Sequence, residues 1–600
     1  MAKRANKADI IEYKPSKYQE AIFDFIEHGE GNLLIEAAAG SGKTWTLVKS
    51  IELIPDDKSI IFCAFNKDIV EELRKKTRNV KNIDVMTLHS LGRKVLKYSI
   101  PGELLAVQPL KYISYIRNNL RELATKPLKH MSKKVYMTYT DNIMKYVDYG
   151  RCYLCDCVED FEFIRERYNI EDIGDEIDVA IKVLAWGMSN LSEIDYTDMI
   201  WLPNVLDVDV KTKYDYIMAD ECQDINKAER HLILKCFKEG TRLISVGDSN
   251  QAIYSFAGSD PASFNELKKL PNTTCMPLSI SYRCAKNIVS FANKIVPTME
   301  ANNDGREGDV KYEMRLDDVK DGDMMVCRTN APLIQIYTKL VKEGKKAFVR
   351  GKDFGTQLIS MVKGTEQKLL NIDCRNDGVF ARLYNDLFTT RNSIITQNMV
   401  DEIDALRTSN VLNKYDAIKT LEYLSEDILT ASELIGKLEH VFNSDNETDG
   451  ISLSTVHKAK GLEADRVFII APSLMPSKSA KKDWEVRQEM NLMYVAYTRA
   501  KNHLYFLSEE EIDDSDLTDD YNLTVLRMKE KLVNMALKKT TKSVFTREEA
   551  AEMLKKTKPI VLSNNAANTV NITGATVHTS FGDVWKKQTK KTNRRKELLI

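Results

Sequence analysis

The stretch "LLIEAAAGSGKTWTLVKS", residues 33–50, constrains the fold more than any other part of the chain. An apolar run ends in small residues and glycines, and a lysine and a hydroxyl residue then open a helical pattern. Glycine lets the backbone curl until successive N–H groups point inward, and a helix starting near Gly42 aims its positive end at the same spot. That is an anion cradle. In the pattern G-x-x-x-x-G-K-[ST], the Lys43 ammonium reaches the terminal phosphates of a nucleotide and the Thr44 hydroxyl ligates magnesium. Ala37 stands where that pattern has its first glycine. A strand feeding such a loop belongs to an α/β sheet, so the feature predicts a nucleotide-binding α/β domain.

Further apolar runs end in polar residues: "SIIFCAF" leads to Asn66, "IDVMTLH" ends at His89, "YDYIMADE" at Asp220 and Glu221, and "RLISVGD" at Asp248. Runs of this kind, separated by helical patterns such as "KDIVEELRKK", predict buried parallel strands, whose carboxyl ends are where ligands bind. A mostly helical insertion over about 92–205 interrupts them. The second half repeats the strand pattern in "MMVCRTN", "KAFVRG", "ISLSTVH", "RVFIIAP" and "HLYFLS", without a second phosphate cradle and with another helical insertion over about 356–445. A second sheet with no cradle of its own predicts a partner that closes over the first. At 600 residues the chain exceeds a single core.

Adjacent carboxylates at a strand end, Asp220 and Glu221, supply what phosphoryl transfer needs: one to hold magnesium, the other to orient and deprotonate water. In "GDSNQAIYSFAGS", Gln251 is placed to sense a γ phosphate. Tyr254 and Phe256 offer faces on which unpaired bases stack, with core packing the alternative from spacing alone. Arg283 in "SYRC" and Arg499 in "YVAYTRAK" are the candidate cations for the transferring phosphoryl group.

Composition narrows the classes. The 43% hydrophobic and 29% charged content fits a globular chain, and no apolar run approaches the roughly 20 residues of a membrane span. The opening residues show no apolar signal core, which predicts a cytosolic setting: cytoplasmic, nucleoid-associated or in a host cytoplasm. Ten cysteines spread over this length read mostly as reduced thiols. Cys152, Cys155 and Cys157 in "RCYLCDC" form half of a thiolate metal site that lacks its other half. Net charge of -1 hides local patches, since "SEEEIDDSDLTDD" offsets the basic ending "WKKQTKKTNRRKELLI". Residues 511–600 read as an acidic linker and a basic tail able to grip DNA or a protein partner.

Taken in order, "YQEAI", "AAAGSGKT", "FCAFNKDIVEEL", "TLHSL", "ADECQD", "VGDSNQAIYSFAG", "SYR", "CRTNAPL", "STVHKAKGLEADRV" and "YVAYTRAK" resemble the superfamily 1 DNA helicases of the UvrD/Rep/PcrA type, and "AFNK" is similar to their F-box DNA helicase branch. The resemblance spans about residues 15–507. It implies two RecA-like parallel-sheet domains in tandem, each with a mostly helical insertion: a first domain from 1–91 and 206–280, and a second from 281–355 and 446–510. It implies ATP and Mg²⁺ as cofactors. Gln19 would read the adenine, Tyr282 stack on it, and Ala38, Ala39, Gly40, Ser41, Gly42, Lys43 and Thr44 surround the phosphates. Arg283, Gly461, Glu463 and Arg499 would complete the nucleotide site, with Lys43, Glu221, Gln251, Arg283 and Arg499 catalytic and Thr44 and Asp220 on the metal. Phe65, Asn66, Thr87, His89, Tyr254, Phe256 and His457 would face DNA. "SFAGS" puts Ala257 where the bacterial repair enzymes show an arginine, and the second insertion is short beside their accessory domain.

The resulting expectation is an ATP-dependent helicase or translocase on single-stranded DNA and at single-strand/duplex junctions, moving 3′ to 5′ by resemblance, in replication, repair or recombination. Replication or recombination proteins would dock on the tail, and no membrane is involved. The competing expectation is a DNA-stimulated ATPase that strips proteins or remodels recombination intermediates without unwinding duplex.

Overall fold

The computed structural model describes residues 14–64, 67–100, 106–125, 133–260, 262–369, 409–425, 428, 430–442 and 449–512. Two six-stranded sheets organise it, and every strand pairing in both is parallel.

Across the first sheet the strands run Ile83–Thr87, Ile60–Ala64, Tyr216–Ala219, Arg242–Gly247, Asn32–Ala37 and Thr273–Leu278. Alternation along each strand feeds two cores. Leu33, Ile35, Phe62, Met218 and Ile244 pack on one face, and Leu34, Ile61, Cys63, Ile217 and Leu243 on the other. A strand buried on both sides has no polar face to show, which is why these segments are continuous apolar runs. Ile35 is fully buried, and truncating such a residue to alanine costs about 2–5 kcal/mol.

The second sheet has the order Asp309–Met314, Ala500–Leu507, Ala464–Ile469, Met324–Cys327, Ile451–Thr455 and Ala347–Arg350. Met324, Val326, Val467 and Ile469 face one core, and Met325, Cys327, Leu453 and Phe468 the other. Both sheets have an edge strand that the apolar pattern does not mark. Thr273–Leu278 and Asp309–Met314 are largely half-exposed, so they need no apolar run.

The first insertion is a helical body with its own core, built around Tyr112, Ile116, Tyr139, Ile143, Phe161, Val183 and Leu184. Its centre also holds charge: Arg151 Nη1 donates to both Asp195 oxygens at 2.8 Å and to Asp198 at 3.0 Å, while Lys111 Nζ donates to Asp198 at 2.8 Å. The chain passes from the first sheet to the second once, after Leu278. Nearly all of the C-terminal tail and half of the second insertion lie outside the described residues.

Candidate active site

The cradle forms where the strand Asn32–Ala37 hands over to the helix Lys43–Ile51. Gly40 and Gly42 have φ of 70° and 84°, the left-handed region that disfavours a side chain. At Gly40 a Cβ would also lie 2.4 Å from the Arg283 Cβ, so the second body approaches this loop to the point where only glycine fits. Ser41 Oγ braces the turn by donating to the Ala38 carbonyl at 2.8 Å. Lys43 Nζ is buried with no hydrogen-bond acceptor among the described residues, and Glu221 Oε2 lies 4.0 Å away. Thr44 Oγ1 donates to Asp220 Oδ2 at 3.0 Å, so the two expected metal ligands already touch.

Gln19 sits against this loop fully buried, but its amide is engaged. Its Oε1 accepts from Ser16 N at 2.9 Å in the capping box of the helix Lys17–His28, and its Nε2 donates to Thr46 Oγ1 at 3.0 Å. Reading an adenine edge would require exchanging one of these bonds.

Asp220 and Glu221 follow the strand Tyr216–Ala219, and Glu221 takes a left-handed φ of 51° that turns its side chain toward the loop. Burial, then the Glu221 charge, hold the Asp220 carboxyl above its ordinary range. Burial pushes Glu221 the same way, but Lys43, then Lys460, Gln223 and Arg499, outweigh it and hold Glu221 below its ordinary range. The pair is thus split electrostatically, Glu221 being the more firmly ionised.

The second sheet brings its own groups across the seam. Arg499 is buried beside Gln251, its Nη2 3.4 Å from Gln251 Oε1, with Nε and Nη1 bonded to the carbonyls of Val495 at 2.9 Å and Leu462 at 3.0 Å. Burial, then the neighbouring Arg283, push Arg499 down to about 10, which leaves it cationic at neutral pH. Arg283 is in a bend, not a helix, and its Nε donates to Glu463 Oε2 at 2.5 Å; Lys501 also pairs with Glu463, at 2.8 Å. Tyr282, 37% exposed, donates its backbone N–H to the Gly40 carbonyl at 2.9 Å, which holds it beside the phosphate loop. Gly461 has φ 86° and open space where a Cβ would be.

Four residues of this cleft escape a motif-by-motif reading although they lie inside the quoted strings. Lys460 bonds to Asp224 and donates to the Gln251 carbonyl at 2.8 Å. Asp248 accepts from Gln251 Nε2 at 2.7 Å. Tyr494 accepts from Ala39 N at 2.9 Å. Lys460, Asp224 and Tyr494 carry no signal but position, because they work through contacts between the two bodies, while Asp248 is marked as a strand-end carboxylate.

On the adjoining face, Tyr254, Phe256 and His457 gather. The Tyr254 hydroxyl donates to the His457 carbonyl at 3.2 Å, and the Phe256 and His457 rings meet edge-on at 5.5 Å. Phe256 is 49% exposed, so core packing does not account for it. Burial pushes His457 down to about 3, so it is a neutral ring at physiological pH. Burial also lowers His89, which lines a cavity of about 370 Å³ together with Tyr254, Asp220 and Asp224. Thr87 is committed locally: its Oγ1 caps the helix Leu88–Ser99 by accepting from Ser90 N at 3.2 Å. Phe65 and Asn66 lie outside the described residues. Tyr149 and Tyr168 of the insertion reach over, donating to the carbonyls of Phe256 and Ser255 at 2.9 Å each.

The three cysteines of "RCYLCDC" do not converge. Cys155 packs in the apolar core of the insertion, and the one His/Cys/acidic group with metal-ligand spacing among the described residues is Asp156, Cys157 and Asp160.

The cleft fits a magnesium nucleotide on its own chemistry: an orphaned buried ammonium, a left-handed glycine loop at a helix start, and a hydroxyl–carboxylate pair beside it. Comparison with known proteins agrees. The UvrD/REP helicase N-terminal domain matches residues 18–272, and the UvrD-like helicase C-terminal domain matches 356–511. ATP-dependent DNA helicase PcrA of Bacillus subtilis is 22% identical over 612 residues, covering 79% of this chain and 80% of that protein. PcrA of Staphylococcus aureus is 24% identical over the same length, covering 79% and 81%. F-box DNA helicase protein 1 of Schizosaccharomyces pombe is 24% identical over 526 residues, covering 79% of this chain but 55% of that longer protein.

Proposed function

Because the chain belongs to the UvrD/Rep family of ATP-dependent DNA helicases, we propose that it is a motor that moves 3′ to 5′ on single-stranded DNA and opens duplex at single-strand junctions, in replication, repair or recombination. The observation that carries this reading is the seam. Arg499 and Lys460 of the second sheet reach Gln251 and Asp224 of the first, and the aromatic face of Tyr254, Phe256 and His457 spans the same two bodies one loop away. One rearrangement therefore alters both the nucleotide site and the strand-facing surface.

In this mechanism Lys43 neutralises the terminal phosphates, filling its missing acceptor, and Thr44 with Asp220 would hold magnesium, which offsets phosphate charge. Glu221, held ionised by its cationic neighbours, orients and deprotonates the attacking water. Gln251 contacts the γ phosphate, and Arg283 and Arg499 stabilise the charge that develops on it. Tyr282 stacks on the base. Closure brings the two arginines in, and release of phosphate reopens the cleft, so each turnover shifts the grip of Phe256 and its neighbours along the strand. Among the described residues no helix is long and apolar enough to cross a membrane, and we place the protein in the cytoplasm with DNA.

Strand displacement on duplexes with a 3′ or a 5′ single-stranded tail, run with ATPase assays with and without single-stranded DNA, tests the reading. Unwinding from the 3′ tail with DNA-stimulated hydrolysis is the expected result. Unwinding from the 5′ tail alone overturns the polarity, and stimulated hydrolysis without any unwinding favours a strand-bound ATPase that displaces proteins.

A further inference from the structure

Tyr494 has no role in the mechanism above, yet its hydroxyl sits where the two bodies meet. The helix Asp483–Tyr497 carries it five residues before Arg499, and its ring is fully buried. The hydroxyl accepts from the Ala39 N–H of the phosphate loop at 2.9 Å and faces Asp248 Oδ2 at 3.3 Å as donor. Asp248 is 2% exposed, and the same Oδ2 accepts from Gln251 Nε2 at 2.7 Å. Gln251 in turn presents its Oε1 to Arg499 Nη2 at 3.4 Å. The bonds close a ring from Tyr494 through Asp248, Gln251 and Arg499 and back along the chain to Tyr494, and Ala39 ties the phosphate loop to it. Within it a group must accept from an amide and donate to a carboxylate, which a hydroxyl does and a hydrocarbon does not. Burial keeps this phenol protonated far above the ordinary range, so it remains a donor.

The ring fixes which way the Gln251 amide points. Its nitrogen goes to Asp248 and its oxygen to the arginine, so the carboxylate decides the orientation and Tyr494 holds the carboxylate against the loop. We propose that the Tyr494 hydroxyl is a positioning group for ATP hydrolysis, tying the phosphate loop to Gln251 and Arg499 so that the three reach the γ phosphate in register. This rests on the ATPase reading above and adds a residue to it.

The test is Tyr494→Phe in the full chain, which keeps the ring and removes only the hydroxyl. Small misplacements of catalytic groups cost up to about 10²-fold in rate. The expected result is a fall in kcat of about ten-fold or more with single-stranded DNA present, a KM for ATP within about three-fold of wild type, and an unchanged Tm. A kcat within about two-fold of wild type overturns the proposal, as does a rate loss that comes with an equal loss of ATP binding and a lowered Tm. Asp248→Asn gives an independent reading because the phenol and its packing stay in place: here too a wild-type kcat overturns it. Coupled action predicts that the double variant is no slower than the slower single one, and additive losses count against it. A wild-type protein whose ATPase ignores DNA would instead defeat the helicase reading, whatever the variants do.

Discussion

Two of the regions that bury charge do it in opposite ways. In the helical insertion, Arg151 and Lys111 meet Asp148, Asp195 and Asp198 with distances of 2.8–3.0 Å, Tyr112 adds its hydroxyl to Asp198 at 2.6 Å, and Lys111 also bonds two carbonyls. In the cleft, Lys43 Nζ has no hydrogen-bond acceptor among the described residues and sits 4.0 Å from Glu221, Asp220 and Glu221 stand side by side, and Arg499, held by the Val495 and Leu462 carbonyls, reaches Gln251 at 3.4 Å. A buried ion whose hydrogen bonds are met is finished; one whose bonds are not met costs free energy until something supplies them. The first arrangement is a structural fastening, and the second has the chemistry of a site for an anion and its metal.

The sharpest way to break the comparison is to remove a charge from each side. Arg499→Ala should lower kcat by about 10³ or more, the scale of an arginine finger, with ATP binding within a few-fold of wild type and DNA stimulation lost. Steady-state ATPase with and without single-stranded DNA reads this, and a variant still strongly stimulated by DNA contradicts the two-body mechanism. Arg151→Ala should act on stability, by about 3–5 kcal/mol, because it strands Asp195 in the interior and takes one of its cations from Asp198. A denaturant melt measures that loss, and an unchanged midpoint would mean the cluster relaxes to water.

A saturating non-hydrolysable ATP analogue with magnesium sharpens the contrast. At about one hundred times its Kd it should add about 2.7 kcal/mol of stability to the wild type and nothing to Lys43→Ala, as thermal shift will show. The smallest effect belongs to the strand-facing surface. Phe256→Ala should weaken single-strand binding by about 1–3 kcal/mol while leaving DNA-independent ATPase near wild type. Fluorescence anisotropy with a labelled oligonucleotide gives the number, and a collapse of Tm instead would assign Phe256 to packing.

The same contrast explains what could be seen in the sequence. The central strands were legible because burial on both faces forbids polar residues, and the phosphate loop was legible because only glycine tolerates its backbone at Gly40 and Gly42. The edge strands Thr273–Leu278 and Asp309–Met314 were not, since one open side lets polar residues in. Gln19 and Thr87 were expected on the adenine and on DNA, while the structure has both side chains in helix caps; the Ser16-x-x-Gln19 spacing of a capping box carries that signal for Gln19. Lys460 and Tyr494 were invisible as site residues because their partners Asp224 and Ala39 lie hundreds of positions away. The ion cluster of the insertion was hidden for the same reason: Lys111, Arg151 and Asp198 form no local pattern.

The single passage of the chain from one sheet to the other has a mechanical consequence. Every strand of the first sheet precedes residue 279 and every strand of the second follows residue 308, so one covalent thread joins two bodies that otherwise adhere by hydrogen bonds, ion pairs and a small apolar patch at Ala38, Ala39 and Ile253. Tyr282 and Arg283 lie on that thread, and Tyr282 is bonded to the phosphate loop. Tension applied to a strand held by the second body reaches the first through this short segment and through the contacts beside it. An opposing pull on the track therefore acts on the segment that carries Tyr282 and Arg283 beside the phosphate loop, so load on the DNA should alter ATP turnover.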